Sequence, residues 1–149
     1  MDTTKKEIIL GSAFCPPTIG HHAIIQALRQ IPDIDMIRLV PSGIRGDKSY
    51  TLSNDIRRKL VEVFASEFDD PRVVADFTFL DSTQPTTTLG MDRYYRAQRG
   101  ISPVQVFGAD VVTAMASWPN TPEDSEYLLQ RMPKIFLKRH GVELRTEGR

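Results

Sequence analysis

Short apolar runs punctuate the chain at Ile8–Leu10, Met36–Val40, Val73–Phe79, Val104–Phe107 and Ile135–Leu137. They are continuous rather than alternating, the pattern of strands covered on both faces. Between them, apolar positions recur at helical spacing. Ala23–Gln30 reads as a first helix with Pro32 at its end. Ser53–Phe68 reads as a second, capped by Ser53, with Ile56, Leu60, Val63 and Phe64 on one apolar face. Thr86–Arg99 is a third, stopped by Gly100. The fourth region is broken: Asp110–Ser117, then Pro119, then a fresh start at Thr121-Pro122-Glu123, where cap, proline and acid fall in order.

Strands alternating with helices predict an α/β fold, a Rossmann-like open parallel sheet of about five strands with helices on both faces. Ligands of such sheets bind beyond the carboxyl ends of the strands, so the loops after Leu10, Val40, Phe79 and Phe107 are expected to share one rim. Residues 1–149 fit a single domain, with no repeat or linker dividing them. Nineteen basic residues balance nineteen acidic ones, which argues against general attraction to nucleic acid or membrane but permits a local basic pocket. Cys15 is the single cysteine, so no internal disulfide and no all-cysteine metal site is expected. The charged start Asp2–Glu7 lacks the apolar stretch of a signal peptide, and no run has the length of a membrane span, so the expected compartment is cytoplasmic.

Chemistry concentrates in Gly11–His22, between the first strand and the first helix. A helix start there offers unpaired N–H groups and a partial positive charge, which suit phosphate. Gly20 admits a close ligand, and Thr18 and His21 add side-chain donors. The spacing fits neither Gly-x-x-x-x-Gly-Lys-Ser/Thr nor Gly-x-Gly-x-x-Gly. An ordinary strand-to-helix turn with a surface histidine is the alternative.

Thr18-Ile19-Gly20-His21 resembles the Thr/His-x-Gly-His signature of the nucleotidyltransferase superfamily, and Gly11, Phe14 and Pro16 are in register with the Gly-x-x-Phe-Asp-Pro that precedes it. Cys15 stands where Asp is usual and is not taken as evidence for catalysis. The resemblance implies a phosphate-binding loop that includes Ser12, Ala13, Phe14, Gly20 and His21. It also implies a lysine in the loop after the second strand, matched by Lys48, and an arginine early in the next helix, matched by Arg57 or Arg58. The glycines of the Pro41–Tyr50 segment suggest a mobile loop that brings Arg45 and Lys48 over a polyphosphate, while composition alone favours a plain solvated surface loop.

Two further segments are similar to the pyridine-nucleotide branch of that superfamily. Thr86-Thr87-Thr88-Leu89 matches a threonine-rich turn beside the pyridine ring, making Thr86, Thr88 and Leu89 candidate substrate contacts; helix capping explains the same hydroxyls. Gly108-Ala109-Asp110 followed by Trp118 matches a Gly-x-Asp…Trp segment. There Gly108 and Asp110 would hold the ATP ribose, and Trp118 would offer a flat face to the ring. The alternatives are an N-cap for Asp110 and a core position for Trp118. Arg139 matches the arginine of an Arg-Pro-Gly that follows the last strand, although a solvated strand end fits it equally; His22 and His140 read as surface residues.

The resemblance implies adenylyl transfer from ATP to nicotinate or nicotinamide mononucleotide, with release of pyrophosphate. His21, Thr18 and Lys48 would stabilise the phosphates, Mg²⁺ would bridge phosphate oxygens, and the partners would be ATP and a phosphorylated acceptor. The superfamily's late Ile-Ser-x-Thr-x-x-Arg-like motif has no match in Gly141–Arg149. Two other readings therefore stay open: an adenylyltransferase for another acceptor such as phosphopantetheine, and a nucleotide-binding module without turnover. Homo-oligomerisation is left open too.

Overall fold

The computed structural model describes residues 6–43, 50–108, 111–118, 120–137 and 144–147. Each of the five apolar runs forms a strand: β1 (Lys6–Ser12), β2 (Met36–Pro41), β3 (Val73–Ala75), β4 (Ser102–Gly108) and β5 (Lys134–Leu137). All five pair in parallel, in the order β3-β2-β1-β4-β5. A sixth strand, β6 (Leu144–Glu147), adds antiparallel to β5 and extends the expected sheet at its edge. Its Leu-Arg-Thr-Glu sequence has no apolar run to announce it.

Helices cover both faces, as expected. Ile8 and Leu10 of β1 pack with Ile25 and Leu28 of α1 (Ile19–Leu28) and with Val61 and Phe64 of α2 (Asn54–Ser66). Ile9, between them, points the other way to Met91 and Tyr95 of α3 (Thr88–Arg99). This alternation is the period-two geometry of a strand buried on both sides. Past β4, α4 (Val111–Ala116), α5 (Pro122–Glu126) and a π-helical turn (Tyr127–Arg131) place Met115 and Leu128 against Leu89, Met132 and Phe136. Capping follows the sequence closely: Ser53 caps α2, Thr121 caps α5 before Pro122, and Gly100 ends α3 in the left-handed conformation at φ 62°.

Two expectations need correction. The third strand stops at Ala75 rather than Phe79, because Asp76 closes an Asx turn: its Oδ1 accepts the Thr78 N–H at 3.0 Å and the Thr78 hydroxyl at 2.6 Å. On α2, Ile56, Leu60 and Val63 are not the inward face. They are 48%, 38% and 60% exposed, while Arg57, Val61, Phe64 and Ala65 are buried. Two apolar faces overlap on this helix at Phe64. The anchoring of Arg57 beneath the rim selects the one containing Val61 and Ala65.

One buried polar network crosses the face under α3. Arg38 of β2 donates through Nε to Glu7 Oε1 at 2.5 Å and through Nη1 to Asp76 Oδ2 at 3.1 Å, and Tyr95 Oη donates to the same Asp76 oxygen at 2.8 Å. All four side chains are buried. On the outer flank of α3, Asp92 accepts from the Tyr127 hydroxyl at 2.7 Å and from Arg96 Nε, tying the helix to the π-helical turn.

Candidate nucleotide site

The strand order reverses between β1 and β4, which makes their carboxyl ends the switch point where ligands of open α/β sheets bind. The loop leaving β1 at this point is Ala13–Thr18. Phe14 turns it with φ at 46°, unusual for a residue with a side chain, and its ring is fully buried against His21 at 4.6 Å between centroids.

Thr18 and His21 form a reciprocal cap on α1. Thr18 Oγ1 accepts the His21 N–H at 3.3 Å, and His21 Nδ1 accepts the Thr18 N–H at 3.0 Å. This is the capping box with histidine in the place usually held by Glu or Gln. Its chemical consequence is a fixed tautomer. Because Nδ1 accepts, a neutral imidazole carries its proton on Nε2, which lies 3.0 Å from Ser12 Oγ. Burial lowers the His21 pKa and keeps the ring neutral. The Thr18 hydroxyl is engaged with His21, so its part is to orient the imidazole. At the helix start, the N–H groups of Ile19 and Gly20 precede any intrahelical acceptor.

Among the described residues, a Cβ on Gly20 would touch only Thr18 Oγ1, at an ordinary 3.5 Å. Gly43 differs: a Cβ would lie 2.3 Å from the Phe79 carbonyl oxygen, so the β2 loop and the segment after β3 meet backbone to backbone. The Gly43 N–H also donates to Thr86 Oγ1 at 2.9 Å. The Gly43 end of the Pro41–Tyr50 segment is therefore locked, and residues 44–49 of the expected mobile loop lie outside the described residues.

Arg57 is the keystone of the rim, and its role differs from the expected substrate contact. Its side chain is completely buried. Nε and Nη2 donate to the Ala13 carbonyl at 3.1 and 2.8 Å, Nη2 also donates to the Ser42 carbonyl, and Nη1 donates to Asn54 Oδ1. The Tyr50 ring covers the guanidinium at 4.1 Å, and the Tyr50 hydroxyl bonds Ser42 Oγ at 2.6 Å. Arg57 thus ties the β1 loop to the β2 loop. Sequence reasoning missed Ser42, Tyr50 and Asn54, because a clamp made of carbonyls distant along the chain leaves no local spacing. Lysine reaches one carbonyl and lacks the fork. Arg57→Lys is expected to cost about 1–3 kcal/mol in urea unfolding; a change within about 0.5 kcal/mol, the usual surface value, would refute the clamp.

The remaining candidates divide. In the threonine turn, the cap is Thr87, whose Oγ1 accepts the Gly90 N–H at 3.0 Å, while Thr86 holds Gly43 and the Thr88 carbonyl accepts from Gln105 Nε2 at 2.8 Å. Leu89 is buried with Met115, Leu128 and Phe136. Trp118 is half-buried at the edge of the same cluster. Gly108 ends β4 on the expected rim. Lys48, Arg45, Asp110, Arg139 and His140 lie outside the described residues. His22 stacks on Phe68 at 4.8 Å, away from this chemistry. Cys15 lies 3.9 Å from Thr51 Oγ1. Partial burial raises its pKa, but hydrogen bonds from Leu52 and Thr51 and the charge of Arg57 outweigh that and hold the thiol below its ordinary value. Among the described residues, no cluster of His, Cys, Asp or Glu forms a metal site, and no helix is long and apolar enough to cross a membrane.

No family model matches the chain. A Sulfurimonas denitrificans protein named "probable nicotinate-nucleotide adenylyltransferase" is 33% identical over 129 residues, covering 85% of this chain and 66% of that protein. Proteins of the same name from Sulfurovum sp. and Albidiferax ferrireducens are 25% and 30% identical, covering 99% and 80% of this chain. The chain spans 66%, 76% and 60% of the lengths of these three relatives. Among solved structures, Plasmodium falciparum nicotinic acid mononucleotide adenylyltransferase matches with TM-scores of 0.72 in complex with NaAD and 0.68 in complex with APC. The identities are 19% and 17%; each match covers 93% of this chain, and 67% and 66% of the other. The fold is therefore that of the mononucleotide adenylyltransferases. Together with the Thr18–His21 cap at the switch point, these matches establish that the chain belongs to the nucleotidyltransferase superfamily and, within it, resembles the nicotinate-nucleotide adenylyltransferases.

Proposed function

We propose that the chain transfers the adenylyl group of ATP to the phosphate of nicotinate or nicotinamide mononucleotide, giving a dinucleotide of the NAD type and pyrophosphate. The observation that carries this reading is the His21 tautomer, fixed by the capping box at the start of α1 with the Nε2 proton directed at Ser12. An acceptor phosphate oxygen attacks the α-phosphorus of ATP, and the bond from that phosphorus to the bridging oxygen of pyrophosphate breaks. No protein nucleophile is required. Catalysis is alignment plus stabilisation of charge on the phosphate oxygens by His21 and the α1 N-terminus. Mg²⁺ enters with ATP as part of the substrate. Lys48 and Arg139 add positive charge, Gly108 and Asp110 hold the ribose, and the Thr86–Leu89 turn and Trp118 flank the acceptor. A cytoplasmic site of action accords with these substrates.

The test is pyrophosphate release with Mg-ATP and each acceptor separately: nicotinate mononucleotide, nicotinamide mononucleotide and phosphopantetheine. Release with a pyridine acceptor is expected. Release with phosphopantetheine alone, or ATP binding without release from any acceptor, would overturn the reading.

Gly20→Ala separates a ligand-imposed glycine from a structural one. The added methyl meets only an ordinary contact, so thermal stability is expected to hold or to rise by up to about 1 kcal/mol. Mg-ATP affinity measured by calorimetry is expected to fall at least about tenfold, the equivalent of 1.4 kcal/mol. Unchanged affinity would show that no phosphate approaches Gly20.

A further inference from the structure

The Nε2 atom of neutral His21 carries one proton, and that proton is already engaged, because Ser12 Oγ lies 3.0 Å away. Nδ1 accepts from Thr18, so the bond runs in one direction, from Nε2–H to the serine oxygen. A hydroxyl that accepts in this way keeps its own hydrogen to give, and the bond it receives makes it a stronger donor. Resting on the adenylyl-transfer reading, we infer that Ser12 is a further catalytic residue, whose hydroxyl relays the His21 N–H to a phosphate oxygen of ATP. No proton changes owner in this relay. Two hydrogen bonds run in series, Nε2–H to Oγ and Oγ–H to phosphate.

The place of Ser12 in the sheet suits that part. It ends β1 at the switch point, and its carbonyl accepts the Ser42 N–H at 2.9 Å, which holds the end of β1 to the loop after β2. Along β1, Ile8 and Leu10 pack on the face that carries α1, and Ser12 shares their parity. Gly11 takes the opposite face, where a Cβ would lie 3.0 Å from Met91 Cε of α3. Ser12 is half-buried rather than closed off. The imidazole it meets is held at Nδ1 by Thr18 and packed against the buried Phe14 ring. The Thr18 hydroxyl, expected from the sequence to meet phosphate, is engaged with His21. Ser12 supplies a hydroxyl donor in its place.

A double-mutant cycle on the full chain separates this relay from a direct His21 contact, with pyrophosphate release read at saturating Mg-ATP and acceptor. Ser12→Ala is expected to lower kcat about 10²-fold, the effect of one lost donor to developing charge. His21→Ala interrupts the same series, so Ser12→Ala/His21→Ala should fall no more than about threefold below the slower single variant, not by the product of the two losses. Ser12→Thr keeps the hydroxyl and should recover activity to within about tenfold of the parent. Circular dichroism checks that each variant is folded. Ser12→Ala within about threefold of the parent, or losses that multiply in the double variant, would overturn the relay while adenylyl transfer by the parent stands. No release by the parent with any acceptor would instead overturn the adenylyl-transfer reading, and calorimetry with Mg-ATP then carries the same cycle. There Ser12→Ala should weaken binding about tenfold and the double variant no further. Unchanged affinity, multiplying losses, or no Mg-ATP binding by the parent would overturn the relay.

Discussion

Replacing His21 by Ala is expected to lower adenylyl transfer by about 10²–10³-fold, the usual effect of removing one positioned donor to a developing oxyanion. The fold should tolerate the change. Thr18 Oγ1 continues to accept the N–H of residue 21, so only the reciprocal half of the cap is lost, at about 0.5–1 kcal/mol. His21→Gln sharpens the test, since Gln is an ordinary partner in a capping box but lacks the imidazole N–H held at Ser12. It should keep stability and still lose transfer. Equal transfer by either folded variant would remove His21 from the chemistry. The pH dependence gives an independent check. Burial lowers the His21 pKa in the folded chain, so below about 6.5 the unfolded chain binds a proton that the folded one resists. This contribution to stability is therefore present above that pH and is lost as pH falls through the window beneath it. The Gln variant should lack that component of the acid loss.

How much of this was legible in the chain depends on the range of the interaction. The five parallel strands, the Ser53, Thr87 and Thr121 caps and the Gly100 stop are local, because period, cap and left-handed turn are decided within a few residues. The Thr-x-Gly-His cap is local in the same sense, although its result, a tautomer fixed by the Thr18 N–H, becomes visible only with distances. What periodicity and resemblance misread was set mainly by distant partners. Arg57 looked like a free cation near phosphates, but its acceptors are carbonyls on two other segments. The same anchoring turns α2 so that its most regular apolar stripe is left outside. Asp76 falls in an apolar-looking run and ends the strand through a turn and a buried arginine. The Arg57 clamp and the buried Arg38–Asp76 pair are set by partners far along the chain, which no local window contains, whereas the Asp76–Thr78 turn is local and was hidden by its apolar neighbours.

The largest stability loss is expected from Arg38→Met. The guanidinium stands between Glu7 and Asp76, and all three groups are buried. Met fills much of the volume but leaves two carboxylates without their cation, and breaking a buried pair in this way costs about 3–5 kcal/mol. Against a total stability of about 5–15 kcal/mol, that brings the chain close to unfolding. The loss should also depend on pH. Burial raises the Asp76 pKa, but hydrogen bonds from Thr78 and Tyr95 and the charge of Arg38 outweigh it, so the folded value lies below the ordinary one. In the parent chain this group adds stability that is present above its unfolded pKa of about 3.9 and lost as pH falls through the lower folded value. Removing Arg38 withdraws part of that lowering, and a protonated carboxyl no longer needs a cation. The parent–variant difference in urea unfolding should therefore be largest near neutrality and should shrink as pH falls towards about 4. A difference independent of pH would mean that Arg38 contributes through packing against Tyr95, whose ring lies 5.9 Å from the guanidinium carbon, rather than through its charge.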